Sequence, residues 1–274
     1  MKRFRHYDKD TAIVLACFGS VVEHARYEQL ADTVREAFPD YPVEIAITSR
    51  MVIKKLAAEH GQWLNLPQTL ANLDMQGYRR IIVASCYLYP TDEHAMVINT
   101  VKGFENFSLS RFGVTPSLIN KTNTATKLLK AIHDRHPLED DMANLYIIHG
   151  APELDNPGYS AIQYTEELLA RLDPYNFSCS LEGAFPFNTM SDGLIRDILT
   201  MMDTDKPKLR LVPLLLVSGN HFENDLMDIR ETLSPHFEVE LAEPVSGDRF
   251  CLLDMPEVPA LLIEQIKTEL KKLP

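Results

Sequence analysis

Short apolar segments alternate with longer amphipathic segments along the whole chain. The short segments are rich in Val, Ile and Leu, which is typical of strands buried on both faces of a sheet. The longer segments repeat their apolar residues with a helical period. We interpret the short segments as strands over 11–18, 43–48, 80–89, 145–148, 180–184 and 211–217. The alternation predicts an α/β fold, with parallel sheets flanked by helices.

The amphipathic segments predict the helices and suggest that the fold is repeated. Helices are expected over 22–38, 51–58, 66–77, 159–172, 191–202, 221–233 and 256–272, with one more that Asp92 caps. Phe18 and His149, each followed by glycine, are 131 residues apart, as are Val83 and Leu214. This spacing predicts two similar α/β lobes, 1–125 and 126–274, with the boundary in 123–127. The last helix is compatible with packing on either lobe.

Composition and charge remove several classes of function. The chain has 45% hydrophobic and 24% charged residues, as an ordinary globular protein does. Its formal net charge of -12 argues against nucleic-acid and anionic-membrane partners. The longest apolar runs are shorter than the ~20 residues that cross a bilayer, and residues 1–10 lack the apolar region of a secretory signal. We therefore expect a cytoplasmic protein.

Sequence motifs restrict the chemistry further. The glycine-rich dinucleotide motif, the Walker A loop and the Gly-x-Ser-x-Gly elbow are absent from the sequence, which leaves metal-linked or acid/base chemistry. The four cysteines form no Cys-x-x-Cys pair, so we expect reduced, buried thiols.

Ionisable side chains follow three predicted strands of the second lobe. His149 ends one strand, Glu182 lies in the next, and His221 follows the third. Ligands of open parallel sheets bind at the carboxyl ends of the strands, where side chains from neighbouring strands converge. Two histidines and a carboxylate suit nickel, cobalt, iron or zinc. A strand-end histidine bonded to backbone, a surface carboxylate and a histidine in a first helical turn would give the same pattern.

Several motifs give the chain a family resemblance. They are Phe18-Gly19-Ser20, the segment 46–56 (AITSRMVIKKL), Asp92-Glu93, His149-Gly150-Ala151, and 215–221 (LLVSGNH) followed by Asn224-Asp225. With these motifs, which cover nearly all of residues 11–270, the sequence resembles the anaerobic-pathway cobaltochelatase family of the CbiK type. Members of that family insert Co²⁺ into sirohydrochlorin in cobalamin synthesis.

The resemblance implies a class II chelatase fold, in which two Rossmann-like lobes hold the macrocycle in a central cleft and the enzyme, a lyase, acts without ATP. It implies that His149, His221 and Glu182 bind the metal, and that Glu93 is a further catalytic carboxylate. The residues expected to bind the tetrapyrrole are Phe18, Ser20, Arg50 and Tyr87. The chain departs from the family in having one more residue between Glu182 and its aromatic-Pro pair. It also has Ser85-Cys86-Tyr87 where the family tends to have Ser-x-His.

Other functions remain open from the sequence. The same residues would serve iron or nickel insertion into a related tetrapyrrole, a non-catalytic metal or tetrapyrrole carrier, or a two-lobed binding protein of the periplasmic sort. The expected partners are a tetrapyrrole and a divalent metal ion, Co²⁺ or alternatively Fe²⁺ or Ni²⁺, with no further cofactor and no ATP. The resemblance also suggests a homo-oligomer.

Overall fold

The chain folds into two compact units. The computed structural model describes residues 5–61, 63–217 and 219–274, and residues 59, 60 and 220–223 by their backbone only. One unit contains the residues up to Leu118 together with Pro256–Pro274, and the other contains Ile119–Met255.

The first unit begins with a strand that becomes the centre of its sheet. Its elements in chain order are β1 (Lys9–Cys17), α1 (His24–Ala37), β2 (Val43–Ile47), α2 (Arg50–His60), α3 (Leu66–Met75), β3 (Tyr78–Cys86), α4 (Asp92–Glu105) and β4 (Arg111–Val114). In the described chain they form a four-stranded parallel sheet in the order β2-β1-β3-β4. Residues 11–17 of β1 are all buried, as expected for a central strand with helices on both faces.

The second unit repeats this plan. Its elements are α5 (Thr122–Arg135), β5 (Met142–Ala151), α6 (Tyr159–Leu172), β6 (Asn176–Gly183), α7 (Phe187–Met202), β7 (Lys208–Pro213), α8 (Asn220–Leu233) and β8 (Glu238–Leu241). The sheet order β6-β5-β7-β8 matches that of the first unit strand for strand. The last helix, α9 (Glu257–Lys272), packs on β3, β4 and α1 of the first unit. The predicted α/β fold with two similar parallel sheets is thus confirmed.

The division between the units differs from the predicted 1–125 and 126–274. The first unit ends at Leu118, whose backbone N–H donates to the Tyr87 carbonyl at 3.0 Å and so returns the chain to β3. The predicted boundary segment 123–127 lies inside α5. This helix buries Ala125, Leu128, Leu129 and Ile132, and it packs on α6 of the second unit.

The seventh strand is shorter at its carboxyl end than the apolar run 211–217 predicts. It ends at Pro213, and the Leu214 N–H still donates to the Ile147 carbonyl of β5 at 2.8 Å. Beyond it, the carbonyls of Leu215 and Leu216 accept from the N–H groups of Leu252 and Leu253, each at 3.2 Å. Residues 215 and 216 therefore bond through their backbones to the short 3₁₀ helix Leu252–Asp254 and do not extend the strand.

Several histidine and cysteine side chains are buried in the two units. Two histidines outside the candidate site, His94 and His136, are buried. The four cysteines are free and buried, as predicted. Among the helices of the described chain, none is long and apolar enough to cross a membrane.

Candidate active site

His149 and Glu182 lie side by side at the carboxyl ends of β5 and β6. These strands are parallel neighbours, with Gly150 paired to Glu182 and Ala151 to Gly183. His149 Nδ1 is 3.3 Å from Glu182 Oε1, and the two side chains are 60% and 52% exposed. The pair that the sequence predicts at adjacent strand ends is therefore in contact and open to solvent.

Two glycines allow the strands to approach each other at this point. Gly150 has φ +92°, and a Cβ there would lie 2.0 Å from the Glu182 carbonyl oxygen. Gly183 has φ +81°, and a Cβ there would lie 1.8 Å from the Ala151 carbonyl oxygen. Since each glycine faces the other strand's backbone, the main chain fixes the points at which the His149 and Glu182 side chains leave their strands.

The distance within this pair suits one bound cation. Two donor atoms, each about 2.1 Å from the same ion at tetrahedral or octahedral angles, are roughly 3.0–3.4 Å apart. The observed 3.3 Å lies in that range. Imidazole and carboxylate are also proton acceptors, so the same two groups can hold a metal ion and take up protons.

The third predicted ligand, His221, is placed by its backbone only. It lies in the first turn of α8, with Gly219 at the N-cap. The His221 side chain and Ser218 lie outside the described residues. Among the side chains that are described, no group of three or more His, Cys, Asp or Glu residues is arranged to hold a metal ion.

The predicted tetrapyrrole-binding residues all lie at the carboxyl edge of the first sheet. Phe18 follows β1 and is an exposed aromatic residue, whereas Ser20 is buried and its Oγ accepts from the Glu23 N–H at 3.1 Å. Arg50 is exposed and is the first residue of α2, which Ser49 caps by accepting from the Val52 N–H.

Tyr87 follows β3 directly and is buried. Its hydroxyl lies 2.5 Å from Thr48 Oγ1, at the end of β2. Burial raises the pKa of the Tyr87 hydroxyl, and the charge of Glu93 adds to the increase. Thr48 was not among the predicted site residues. Its bond to Tyr87 links the ends of β2 and β3.

Glu93 lies in the first turn of α4 and is half-buried. Its Oε2 accepts from the Thr91 hydroxyl at 2.7 Å, and a carboxylate at this end of a helix is favoured by the dipole. Thr91 is the N-cap residue, so Asp92 is the first helical residue and not the cap that the sequence predicts. The next residue, His94, is buried with its Nδ1 2.7 Å from Ser85 Oγ. Desolvation lowers the pKa of His94.

Cys17 and Cys86 are register partners at the ends of β1 and β3. Burial raises the pKa of the Cys17 thiol well above its ordinary value, and the neighbouring Cys86 thiol adds to the increase. Since the thiolate is the metal-binding form, Cys17 is poorly suited to hold a metal here.

Solved structures share this arrangement of elements. The structure of the sirohydrochlorin chelatase SirB from Bacillus subtilis subspecies spizizenii in complex with cobalt has a TM-score of 0.61 against this chain, at 14% sequence identity and with 96% of each chain covered. At this identity the likeness shows the fold alone, which is that of the chelatases.

Sequence comparison gives the family. The profile of the family described as cobalt chelatase (CbiK) matches residues 11–269, and the protein therefore belongs to this family of metal chelatases. The sirohydrochlorin cobaltochelatase of Salmonella typhimurium is 24% identical over 220 residues, which are 78% of this chain and 79% of that protein. The sirohydrochlorin cobaltochelatase CbiKC of Nitratidesulfovibrio vulgaris is 25% identical over 224 residues, covering 78% and 74%.

Proposed function

We propose that this protein inserts Co²⁺ into sirohydrochlorin without ATP, and that His149 and Glu182 deliver the ion and accept the displaced protons. The observation that carries the proposal is the exposed His149–Glu182 pair, 3.3 Å apart, in a chain that belongs to the cobalt chelatase family. The names of the two relatives, both sirohydrochlorin cobaltochelatases, support the choice of metal and macrocycle.

Metal insertion exchanges two protons for one divalent cation. The metal-free macrocycle loses two pyrrole N–H protons, Co²⁺ binds the four ring nitrogens, and two H⁺ are released. His149 and Glu182 first hold the hydrated ion. As ring nitrogens replace them as ligands, their freed lone pairs accept the pyrrole protons and pass them to water, to which both side chains are open.

A chelatase must also release its metal. A site with few protein ligands keeps positions open for ring nitrogens, as catalytic metal sites keep an open position for substrate. A pair, with His221 as the proposed third ligand, meets this need better than a closed set of four. The energy for transfer then comes from the macrocycle, whose ring nitrogens bind the metal more tightly than the protein does, so that ATP is not required.

The carboxyl edge of the first sheet supplies the proposed macrocycle contacts. Sirohydrochlorin is rich in carboxylates, whereas the protein has a net charge of -12, so binding needs local positive charge. Arg50 provides it at the start of α2, the helix end whose dipole favours anions. Phe18 offers an exposed apolar surface, Ser20 and Tyr87 shape the strand ends beside it, and Glu93 is the proposed relay for protons.

The experiment is to add metal-free sirohydrochlorin and Co²⁺, Fe²⁺ or Ni²⁺ to the purified protein and to follow the absorption spectrum. We expect insertion of Co²⁺ well above the protein-free rate, with many turnovers and no added nucleotide. Faster insertion of Fe²⁺ or Ni²⁺ would assign the enzyme another metal. Stoichiometric binding without turnover would make it a carrier.

A further inference from the structure

Phe185 combines an unusual backbone with an exposed ring. It is three residues beyond Glu182, its φ is +55°, and it is 63% exposed. A left-handed backbone is uncommon for a bulky residue and costs free energy. Burial of the ring would offset that cost, but here the ring lies mostly in solvent.

The loop around Phe185 is held in place from both sides. Ser180 Oγ donates to the Ala184 carbonyl at 2.8 Å, and Ser180 pairs with Pro186 in a parallel bridge. Pro186 is the N-cap residue of α7, which fixes the exit of the loop. These contacts are made by Ala184 and Pro186, on either side of Phe185, and the Phe185 ring remains exposed to solvent. The loop therefore holds the aromatic side chain at a defined place.

Further apolar side chains lie beyond the same strand ends. Leu154 follows β5 and Met190 is in the first turn of α7, and both are exposed. The backbones that lead to Leu154 and Phe185 are adjacent, because Ala151 pairs with Gly183. The carboxyl edge of the second sheet therefore carries exposed apolar groups beside an ionisable pair.

We infer that the Phe185 ring contacts the face of the metal-free tetrapyrrole and thereby holds its ring nitrogens over the His149–Glu182 pair. The inference rests on the proposed function. A flat π-system is the ligand that an exposed aromatic ring binds best, by offset stacking or edge contact. The strained backbone of Phe185 is then retained because the ring is used in binding.

The test is Phe185→Asn, because asparagine tolerates the left-handed conformation and the variant is expected to fold. We expect its melting temperature to equal or exceed that of the wild type. A spectroscopic titration with metal-free sirohydrochlorin should give a Kd roughly tenfold higher, the loss expected for one aromatic contact. KM for the macrocycle should rise in parallel while kcat changes less, and Phe185→Tyr should restore the affinity.

Phe107→Asn is the matched control. Phe107 is 69% exposed but precedes β4, at the opposite, amino-terminal edge of the first sheet. The affinity of the Phe107→Asn variant for sirohydrochlorin should stay within about twofold of that of the wild type, because Phe107 makes no proposed contact with the substrate. A Phe185→Asn protein that binds as tightly as the Phe107→Asn protein, while the wild type inserts cobalt, would overturn the inference alone. If the wild type neither binds nor metallates sirohydrochlorin, the proposed function is wrong and the inference falls with it.

Discussion

His149 and Glu182 come together because the parallel backbones of their strands approach each other closely at two glycines. The side chains, 3.3 Å apart, leave neighbouring strands one residue before Gly150 and Gly183, and each of these glycines faces a carbonyl oxygen of the opposite strand. The pair therefore depends on two positions that carry no chemistry of their own. This dependence makes the site sensitive to changes in the main chain.

Gly183→Ala should damage both stability and activity. The new Cβ would meet the Ala151 carbonyl oxygen at 1.8 Å in a backbone with φ +81°, so the strands must separate. We expect the free energy of unfolding to fall by at least about 2 kcal/mol, with loss of cobalt insertion. Urea unfolding and the insertion assay measure the two effects.

Gly193→Ala is the control for this prediction. Gly193 lies inside α7, and a Cβ there meets only Arg196 Nη2, at 3.8 Å. This change should stabilise the protein by about 0.5–1 kcal/mol, because alanine is the better helix former. Equal stability of the two alanine variants would show that β5 and β6 do not approach each other closely at Gly183.

Tyr87→Phe tests the bond between Tyr87 and Thr48. It removes a hydroxyl that lies 2.5 Å from Thr48 Oγ1 and leaves the buried ring in place. We expect the free energy of unfolding to fall by about 1 kcal/mol. In a double-mutant cycle with Thr48→Val, the double variant should lose less than the sum of the singles, because both changes remove the same bond. Strict additivity would contradict this pairing.

The stability of the protein should fall in mild acid because of His136. Burial lowers the pKa of His136 to about 4, from an ordinary value of 6.5. Its Nδ1 donates to the Ile132 carbonyl at 2.7 Å, and Nε2 is buried with no hydrogen-bond partner among the described residues. Protonation of Nε2 would place a charge and an unpaired donor in the interior.

The sign follows from proton uptake. Between pH 6.5 and 4 the unfolded chain binds the proton and the folded chain does not, so the free energy of unfolding decreases as the pH falls. The loss attributable to His136 reaches roughly 3 kcal/mol near pH 4. Urea unfolding of the wild type and of His136→Asn over this range measures it. A variant with the same pH dependence as the wild type would remove His136 as the cause, although His94, whose pKa is also lowered, adds to the dependence in both proteins.

The buried parallel strands could be predicted because their sequences are continuous apolar runs. The edge strands β4 and β8 could not, since each has only four residues and β8 is largely exposed. A strand this short is determined by its hydrogen-bonded neighbour, Tyr78–Cys86 for β4 and Lys208–Pro213 for β8, and not by its own pattern. The burial of His136 could not be predicted either, because the Phe250 ring that contacts it comes from a distant segment.

The candidate pair could be predicted from the rule that parallel strands end at one edge of the sheet. The rule places His149 near Glu182, but it does not give the distance between their side chains. The left-handed backbone of Phe185 is only weakly indicated by the sequence. The indication is the additional residue between Glu182 and Pro186. An added residue must be accommodated somewhere in the loop, but the sequence does not say which residue takes the positive φ. That is decided by the bonds of Ser180 to the loop.

The most direct test of the account is the initial rate of cobalt insertion into sirohydrochlorin, measured side by side for the wild type, His149→Ala, Glu182→Gln and the control Glu167→Gln. Glu167 is a glutamate on α6 that is exposed like Glu182 and is paired with Arg171. Because all three side chains are exposed, the melting temperatures should hardly change. We expect rates reduced about 100-fold or more for His149→Ala and Glu182→Gln, with Glu167→Gln at the wild-type rate. Wild-type rates in both site variants would show that the His149–Glu182 pair does not carry out the insertion.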